Sequence, residues 1–214
     1  MVGFVVMALR DFGMSHNLIS SADYIPPELI ALTHQVVTPE QFEELCSEYT
    51  ELRLELTSTG EIVIMPLTGF ETGRRNSNLT YQVDAWTRLD GTGVCCDSNT
   101  AFVLPNNACR SPDTSWVKRE KFEHLTADER ERFARFSPDF VVELRSHSDR
   151  LTPLRNKMLE WIENGVSLGW LIDPFKRKVY VYRPNEELVI LDNPETVSGD
   201  PLLPGFTLNL TELW

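Results

Sequence analysis

One run of five residues constrains the fold more than any other part of the chain, namely Phe140–Leu144. It is apolar except for Glu143, a composition typical of a central strand that is buried on both faces. The triplet Ser137-Pro138-Asp139 comes directly before it. A carboxylate in such a strand is costly to bury unless it has a charged partner or binds a metal ion. The run therefore predicts the central strand of a sheet and a functional site around Glu143.

A second Ser-Pro-Asp triplet, which ends at Asp113, opens another strand-like run earlier in the chain. Side chains alternate along a strand, so Asp139, Glu143 and Arg145 share one face. Asp139 and Glu143 lie roughly 13 Å apart at about 3.3 Å per residue, too far to hold one ion, whereas Glu143 and Arg145 lie about 7 Å apart. A partner for Glu143 must come from a neighbouring strand, and Asp113 is the candidate. Asp139 is interpreted as structural.

Oxygen ligands are available at this point of the predicted sheet. Asp113 and Glu143 supply carboxylates, and Leu144 supplies a main-chain carbonyl. Hard oxygen donors of this kind suit Mg²⁺ or Mn²⁺. A helix predicted over residues 151–164 carries Lys157 about a quarter turn from the centre of its apolar stripe, from where the ammonium could reach back to the site.

These residues and their spacing resemble the PD-(D/E)xK nuclease superfamily, and the wider pattern resembles its Uma-two family. The resemblance covers residues 38–214. Its matching stretches are Leu54-Glu55-Leu56 with Gly60-Glu61, Arg110-Ser111-Pro112-Asp113, Pro138-Asp139-Phe140-Val141-Val142-Glu143-Leu144, Ser146, Asp149, Lys157, Gly165-Val166, Trp170-Leu171-Ile172-Asp173-Pro174, Val181-Tyr182-Arg183-Pro184 and Leu203-Pro204-Gly205-Phe206. It implies an α/β fold with a restriction-endonuclease-like mixed sheet flanked by helices. It also implies hydrolysis of a nucleic acid, with DNA expected before RNA.

The resemblance assigns roles to individual residues. Asp113, Glu143 and the carbonyl of Leu144 would bind Mg²⁺ or Mn²⁺. Arg145 stands where the superfamily usually has lysine, and arginine stays protonated, so it cannot act as a base. It could still stabilise charge that builds on a phosphate. Lys157 would then supply the missing ammonium, and Asp113, Glu143, Arg145 and Lys157 form the expected catalytic set.

Each of these residues also has a purely structural interpretation. Glu143 could be held in an ion pair with Arg145 or Arg110, as structural carboxylates are. Asp113 could only shape the turn that follows its proline. Lys157 could be an ordinary surface lysine of its helix. The strand acid Glu55 is a candidate outer acid of the site, although exposed strand acids usually have no role.

The rest of the chain is predicted from its periodicity. Residues 1–37 show no sustained pattern and are interpreted as an N-terminal arm that precedes one domain, residues 38–214. Thr38-Pro39 marks a helix start, and a second helix is expected over residues 75–89. The expected strands form two hairpins and a group near the C-terminus, at residues 52–56 with 61–65, 94–104 with 109–117, and 168–172, 178–183 and 187–191.

Charge favours a rival function. The formal net charge is −12, and residues 1–72 supply −9 of it, with eleven acidic residues and two basic ones. Tight non-specific binding to DNA depends on neutralising phosphates. An acidic chain with Arg145 at the lysine position is therefore also consistent with a non-cutting nuclease-fold module that binds or assembles, for instance as a homodimer. Glycoside hydrolysis lacks support, because nothing indicates an aromatic sugar platform beside two acids.

Cysteine usage and the start of the chain indicate the compartment. The four cysteines show no zinc-type spacing. Free thiols are typical of a reducing cytosol. The apolar start, residues 1–9, is too short to span a bilayer and lacks the features of a signal peptide. We therefore expect a cytoplasmic protein without a membrane partner.

Overall fold

The computed structural model describes residues 36–214, so the predicted N-terminal arm lies outside the described residues except for Val36 and Val37. The helices of this region are α1 (Pro39–Glu48), α2 (Phe70–Asp90), α3 (Arg119–Glu123), α4 (Ala127–Arg130) and α5 (Leu151–Glu163). The strands are β1 (Arg53–Leu56), β2 (Ile62–Met65), β3 (Gly93–Cys96), β4 (Phe102–Val103), β5 (Cys109–Arg110), β6 (Thr114–Lys118), β7 (Phe140–Leu144), β8 (Leu168–Asp173), β9 (Lys178–Tyr182), β10 (Val189–Asp192), β11 (Thr196–Ser198) and β12 (Thr207–Asn209). Within residues 36–214, no helix combines the length and the apolarity needed to cross a membrane.

The larger sheet has six strands in the order β10-β9-β8-β7-β6-β3. β7 pairs in parallel with β8 and antiparallel with β6, so the sheet is mixed. All five residues of β7 are buried, because helices and the C-terminal tail cover the two faces of the sheet. The prediction that Phe140–Leu144 forms the central strand of an α/β sheet is confirmed.

The two faces of this sheet form separate cores. Phe140, Val142 and Leu144 point to one side, where they pack with α2 and the C-terminal segment. Val141 points to the other side and packs with Met158 and Trp161 of α5. This alternation follows from the strand period. It places Glu143, two residues after Val141, on the side of α5.

A smaller sheet with the order β2-β1-β5-β4 stands beside the larger one. The predicted hairpin of β1 and β2 is confirmed by their antiparallel register. The helix start at Thr38 is also confirmed, because Thr38 and Gln41 cap each other's main chain, at 3.3 and 2.9 Å. Phe42 of α1 is buried against this sheet.

The predicted hairpin of residues 94–104 and 109–117 is wrong in one respect, because each long strand is divided between the two sheets. β3 and β6 pair in the larger sheet, and β4 and β5 pair in the smaller one. The break in the second strand lies at Ser111-Pro112, where the proline has no N–H to donate to a ladder. The Ser111 hydroxyl instead donates to the carbonyls of Ser98 and Thr100, at 2.6 and 3.0 Å. Asp113 consequently lies at the junction of the two sheets.

The second helix begins earlier than residues 75–89 predicted. α2 starts at Phe70, after Gly69 in an extended conformation. Its first turns carry Gly73 and polar residues, so the apolar period that marks the helix in the sequence begins only at Leu79. Asn76, which both ranges include, lies in the second turn of α2 and faces the junction, where it contacts Asp113.

Candidate active site

The structure brings Asp113 and Glu143 together at one end of two neighbouring strands. Thr114 of β6 lies opposite Val142 of β7, so one further step places Asp113 opposite Glu143. Directly opposite residues share one face of a sheet, with Cβ atoms about 5 Å apart. The Leu144 N–H donates to Asp113 Oδ2 at 2.8 Å. This hydrogen bond holds the carboxylate of Asp113 next to Leu144, the residue that follows Glu143.

Glu143 is held from α5 by two side chains. Its side chain is almost fully buried, with 4% of the residue exposed. Trp161 Nε1 donates to Glu143 Oε1 at 2.9 Å, and Lys157 Nζ lies 2.9 Å from the same oxygen. The two donors are four residues apart, one helical turn, and so face the strand together. The structural interpretation that paired Glu143 with Arg145 or Arg110 is therefore wrong.

Lys157 is buried rather than displayed on the helix surface. Besides Glu143, its ammonium contacts Glu55 Oε1 at 2.8 Å and the Ser111 carbonyl at 3.3 Å. A lysine ammonium has three donors, and each of them has an acceptor here. The surface interpretation of Lys157 is wrong, and the interpretation that placed it near the site agrees with the structure.

Glu55 is a residue whose position the sequence did not reveal. It is 3% exposed, although the alternation of β1 predicted an exposed acid. The side chain of Glu55 is covered by Lys157 and by Arg110, whose Nη1 lies 3.2 Å from Glu55 Oε2. Arg110 Nε in turn binds Glu160 of α5 at 2.7 Å. A strand pattern cannot indicate that a helix distant in the chain covers the polar face.

Formal charges in this cluster do not cancel. Lys157 and Arg110 are its cations, and the charge of Arg53 also acts on Asp113; its carboxylates are Glu55, Asp113, Glu143 and Glu160. With all of these groups ionised, four carboxylates face three cations, which is an excess of one negative charge. An uncompensated buried carboxylate is costly, so the cluster favours either a bound proton or a bound cation.

The pKa values follow from this imbalance. Burial raises the pKa of Glu143 to about 7, and the charges of Asp113 and Glu55 add to the effect while Lys157 opposes it. Burial also raises the pKa of Asp113, against the hydrogen bond from Leu144. For Glu55, burial is outweighed by Lys157 and Arg110, and its pKa is lowered. The pKa of Lys157 is raised, because its carboxylate partners outweigh its burial.

Arg145 and Asp139 lie apart from this cluster. Arg145 directly follows β7, and its N–H still donates to the Ile172 carbonyl of β8 at 2.9 Å, but its side chain is directed to β8 and not to Glu143. Arg145 Nη1 binds buried Asp173 at 2.8 Å, and its Nε donates to the Asp149 carbonyl at 3.1 Å. Asp139 accepts from the Lys118 N–H at 2.9 Å at the opposite end of β7. It has the structural role that was predicted.

An open cleft of about 810 Å³ leads to the junction between α2 and the loop after β3. Its lining includes Asn76, Tyr81 and Arg53. Asn76 Nδ2 donates to Asp113 Oδ1 at 2.9 Å, so the cleft reaches the aspartate through this amide. Arg53 Nη2 donates to the Ser98 carbonyl, while its buried Nε has no partner within residues 36–214. Arg53 is a second residue that the sequence did not reveal.

The fold and the paired carboxylates define a restriction-endonuclease-like α/β protein, and comparisons with known proteins agree. The family model described as "Uma2: Putative restriction endonuclease" matches residues 39–211. The chain belongs to this family. A crystal structure described as a putative nuclease belonging to DUF820, from Anabaena variabilis ATCC 29413, shares the fold with a TM-score of 0.70 at 20% identity. The alignment covers 83% of this chain and 97% of that one. No curated protein matches the sequence.

A divalent cation needs several oxygen ligands at one point. In the described part of the chain, no group of three or more His, Cys, Asp or Glu side chains is placed to hold a metal ion. A divalent cation at this point would have the two carboxylates of Asp113 and Glu143, and any further protein ligands would be neutral oxygens. Mg²⁺ accepts such a set, since it commonly binds one or two carboxylates and keeps several waters.

Proposed function

We propose that this protein is a metal-dependent endonuclease that hydrolyses phosphodiester bonds of a nucleic acid, with DNA as the first substrate to test. The observation that supports it is the meeting of Asp113 and Glu143 at one sheet end, with the Lys157 ammonium 2.9 Å from Glu143. The excess of negative charge in this buried cluster favours a divalent cation. Membership of a family described as restriction endonucleases agrees with this proposal.

Asp113, Glu143 and the Leu144 carbonyl would hold Mg²⁺ or Mn²⁺. The bound ion lowers the pKa of a coordinated water and withdraws charge from the phosphate. Glu143 Oε1 is already bound to Trp161 and Lys157, which orients the carboxylate and leaves Oε2 for the ion. Asp113 is oriented in the same way by the Leu144 N–H.

Lys157 provides the positive charge that the superfamily usually takes from the third motif position. Its ammonium is fixed by Glu55, Glu143 and the Ser111 carbonyl, so it lies beside the metal ligands without rearrangement. Preorganised charge of this kind stabilises the charge that develops on phosphate. Arg145 would have to leave Asp173 to act there, and we assign this role to Lys157.

Plasmid cleavage tests the proposal. Supercoiled DNA is incubated with the protein and Mg²⁺ or Mn²⁺, and nicked and linear products are separated by electrophoresis. We expect cleavage by the wild type and its loss, at least a hundredfold, in Asp113→Asn and Glu143→Gln. Both substitutions keep the side-chain shape and remove a charged oxygen.

Asp139→Asn is the matched control, because Asp139 ends the other Ser-Pro-Asp triplet and lies at the far end of β7. It should keep the wild-type rate. Equal cleavage by all four proteins would indicate a contaminating nuclease and contradict the proposal. Metal binding without any cleavage of DNA or RNA would favour the rival, a nuclease-fold module that binds or assembles without cutting.

A further inference from the structure

Asn76 combines two features that no role in the fold explains. Its Nδ2 donates to Asp113 Oδ1 at 2.9 Å, and its Oδ1 is buried and has no hydrogen-bond partner within residues 36–214. A buried amide oxygen without a partner is costly, because it has lost its hydrogen bonds to water and gained none in return. The fold accepts this cost directly beside a carboxylate of the site.

We propose that Asn76 is a direct ligand of the divalent cation, through its amide oxygen, together with Asp113 and Glu143. The inference rests on the proposed function and extends it to a residue of α2. A set of only two carboxylates needs further oxygens, and a neutral amide oxygen is an ordinary ligand of Mg²⁺, Mn²⁺ or Ca²⁺.

The distance between the two side chains fits this role. Rotation of the amide by half a turn about its terminal torsion exchanges Oδ1 and Nδ2, and this torsion is broad and nearly two-fold. The amide oxygen would then lie where Nδ2 now is, 2.9 Å from Asp113 Oδ1. Adjacent ligands of octahedral Mg²⁺, each 2.0–2.1 Å from the ion, are about 3 Å apart. Apart from this rotation, the Asn76 side chain does not have to move for its amide oxygen and Asp113 Oδ1 to bind one ion as adjacent ligands.

The two orientations of the amide suit two different partners. In the orientation described, Nδ2 donates to Asp113 Oδ1. In the other orientation, the amide oxygen takes the same position and can bind a cation together with the carboxylate of Asp113. Asn76 also lines the cleft, so an ion at this position would face the side from which a nucleic acid can approach.

Calorimetric titration with Mn²⁺ alone, without nucleic acid, tests the proposal. We expect Asn76→Ala to weaken binding about tenfold and Asn76→Asp to bind at least as tightly as the wild type, because aspartate restores an oxygen ligand. Asn78→Ala is the matched control, since Asn78 lies two residues further along α2 and binds Glu212 Oε2. It should keep the wild-type affinity.

Asn76→Asp separates a ligand from a residue that only orients Asp113. A ligand predicts a larger rise in melting temperature on adding Mn²⁺ for Asn76→Asp than for the wild type, because the ion relieves repulsion between the two aspartates. A mere hydrogen-bond donor predicts that Asn76→Asp binds as weakly as Asn76→Ala, and that result would overturn the inference.

The outcome also distinguishes this inference from the proposed function. Mn²⁺ binding that Glu143→Gln abolishes but Asn76→Ala leaves unchanged would refute the role of Asn76 and leave the proposed metal site intact. A wild type that does not bind Mn²⁺ or Mg²⁺ would refute both.

Discussion

At the scale of single residues, Lys157 determines how the cluster is held together. Its ammonium lies between Glu55 and Glu143, at 2.8 and 2.9 Å. Removing one partner of a buried ion pair lowers stability by far more than the intact pair contributes to it, because the other charge stays buried without compensation. The lysine is therefore needed for stability as well as for the proposed chemistry.

Substitution of Lys157 by methionine should lower the free energy of unfolding by about 3 kcal/mol, since it leaves buried Glu143 without a cationic partner and Glu55 with Arg110 alone. Urea denaturation measures the effect. Lys176→Met is the control, because Lys176 is exposed and should change stability by no more than about 0.5 kcal/mol. Adding Glu55→Gln and Glu143→Gln to Lys157→Met should recover most of the loss. Equal stability of the two single variants would contradict this account.

Glu143 should make stability depend on pH. Its pKa is raised by burial to about 7, whereas in the unfolded chain it is about 4.3. Between these two pKa values the folded protein retains a proton that the unfolded chain has lost. The bound proton stabilises the folded protein fully below the pKa of the unfolded chain, and this stabilisation disappears as the pH rises through about 7. We expect the free energy of unfolding to fall by about 2 kcal/mol between pH 5 and 8 in metal-free buffer.

Urea denaturation at several pH values checks this expectation, with Glu143→Gln as the reference that has no titrating group at this position. The variant should show a flatter dependence over the same range. Parallel curves for the two proteins would contradict the prediction. Bound Mn²⁺ should reduce the slope of the wild type, because the ion favours the ionised carboxylate.

Which site residues could be predicted from the sequence depends on what brings them together. Asp113, Glu143 and Lys157 could be found, because a carboxylate in an apolar strand requires partners and strand and helix periods limit where these can be. The burial of Glu55, which the sequence offered only as a candidate outer acid, and the contact of Asn76 with Asp113 could not, since both result from contacts between elements distant in the chain. Arg145 was placed beside Glu143 by strand alternation, which could not indicate that Asp173 of β8 would bind it.

At the scale of elements, the junction between the two sheets determines the position of Asp113. The strands that enter the junction, β3 and β6, are packed closely. Gly93 of β3 has no room for a side chain, because a Cβ atom there would overlap the indole of Trp116 in β6. Trp116 is itself buried in the core under α2, so it cannot move aside without disturbing that helix.

Gly93→Ala should therefore destabilise the protein by about 2 kcal/mol, as overpacked core positions do. Gly73→Ala is a matched substitution with the opposite expectation. Gly73 lies inside α2, and a Cβ there would meet only Thr68 Cγ2 at an ordinary 3.9 Å. Alanine is favoured over glycine in a helix by roughly 0.5–1 kcal/mol. Thermal unfolding of the two variants should shift in opposite directions, and a shift of both in one direction would contradict the packing argument.

The elements themselves were predicted more reliably than their connections. Periodicity indicated α1, α5 and the hairpin of β1 and β2, and continuous apolar runs bounded by turn residues indicated the three strands after α5. It could not indicate that residues 94–104 and 109–117 each divide between two sheets. Apolar and polar residues follow one another in the same way in both halves of each run. Only the strands with which the halves pair, which lie elsewhere in the chain, assign them to different sheets.

At the scale of the whole molecule, the net charge of −12 opposes an encounter with a polyanion. Affinity for nucleic acid comes largely from phosphate contacts with basic groups. The proposed function therefore needs divalent cations for binding as well as for hydrolysis, because the ions offset the repulsion between the protein and its substrate.

Binding of a fluorescent DNA duplex, followed by anisotropy, should be weak in EDTA, with a Kd above about 100 μM, the weak end of non-specific binding. Ca²⁺, used so that the duplex remains uncut, should tighten it at least tenfold. Glu143→Gln should show a smaller gain. Tight binding in EDTA would contradict the role given to the cation, and the same assay with an RNA duplex decides between the two substrates.

One buried ammonium joins three parts of the molecule: it originates on α5, and it holds Glu55 of β1 in the smaller sheet and Glu143 of β7 in the larger one. A change of the lysine alone would therefore leave charges unpaired in both sheets. Relatives that have replaced this lysine should have replaced both glutamates as well, and the three positions should vary together when many sequences of the family are aligned.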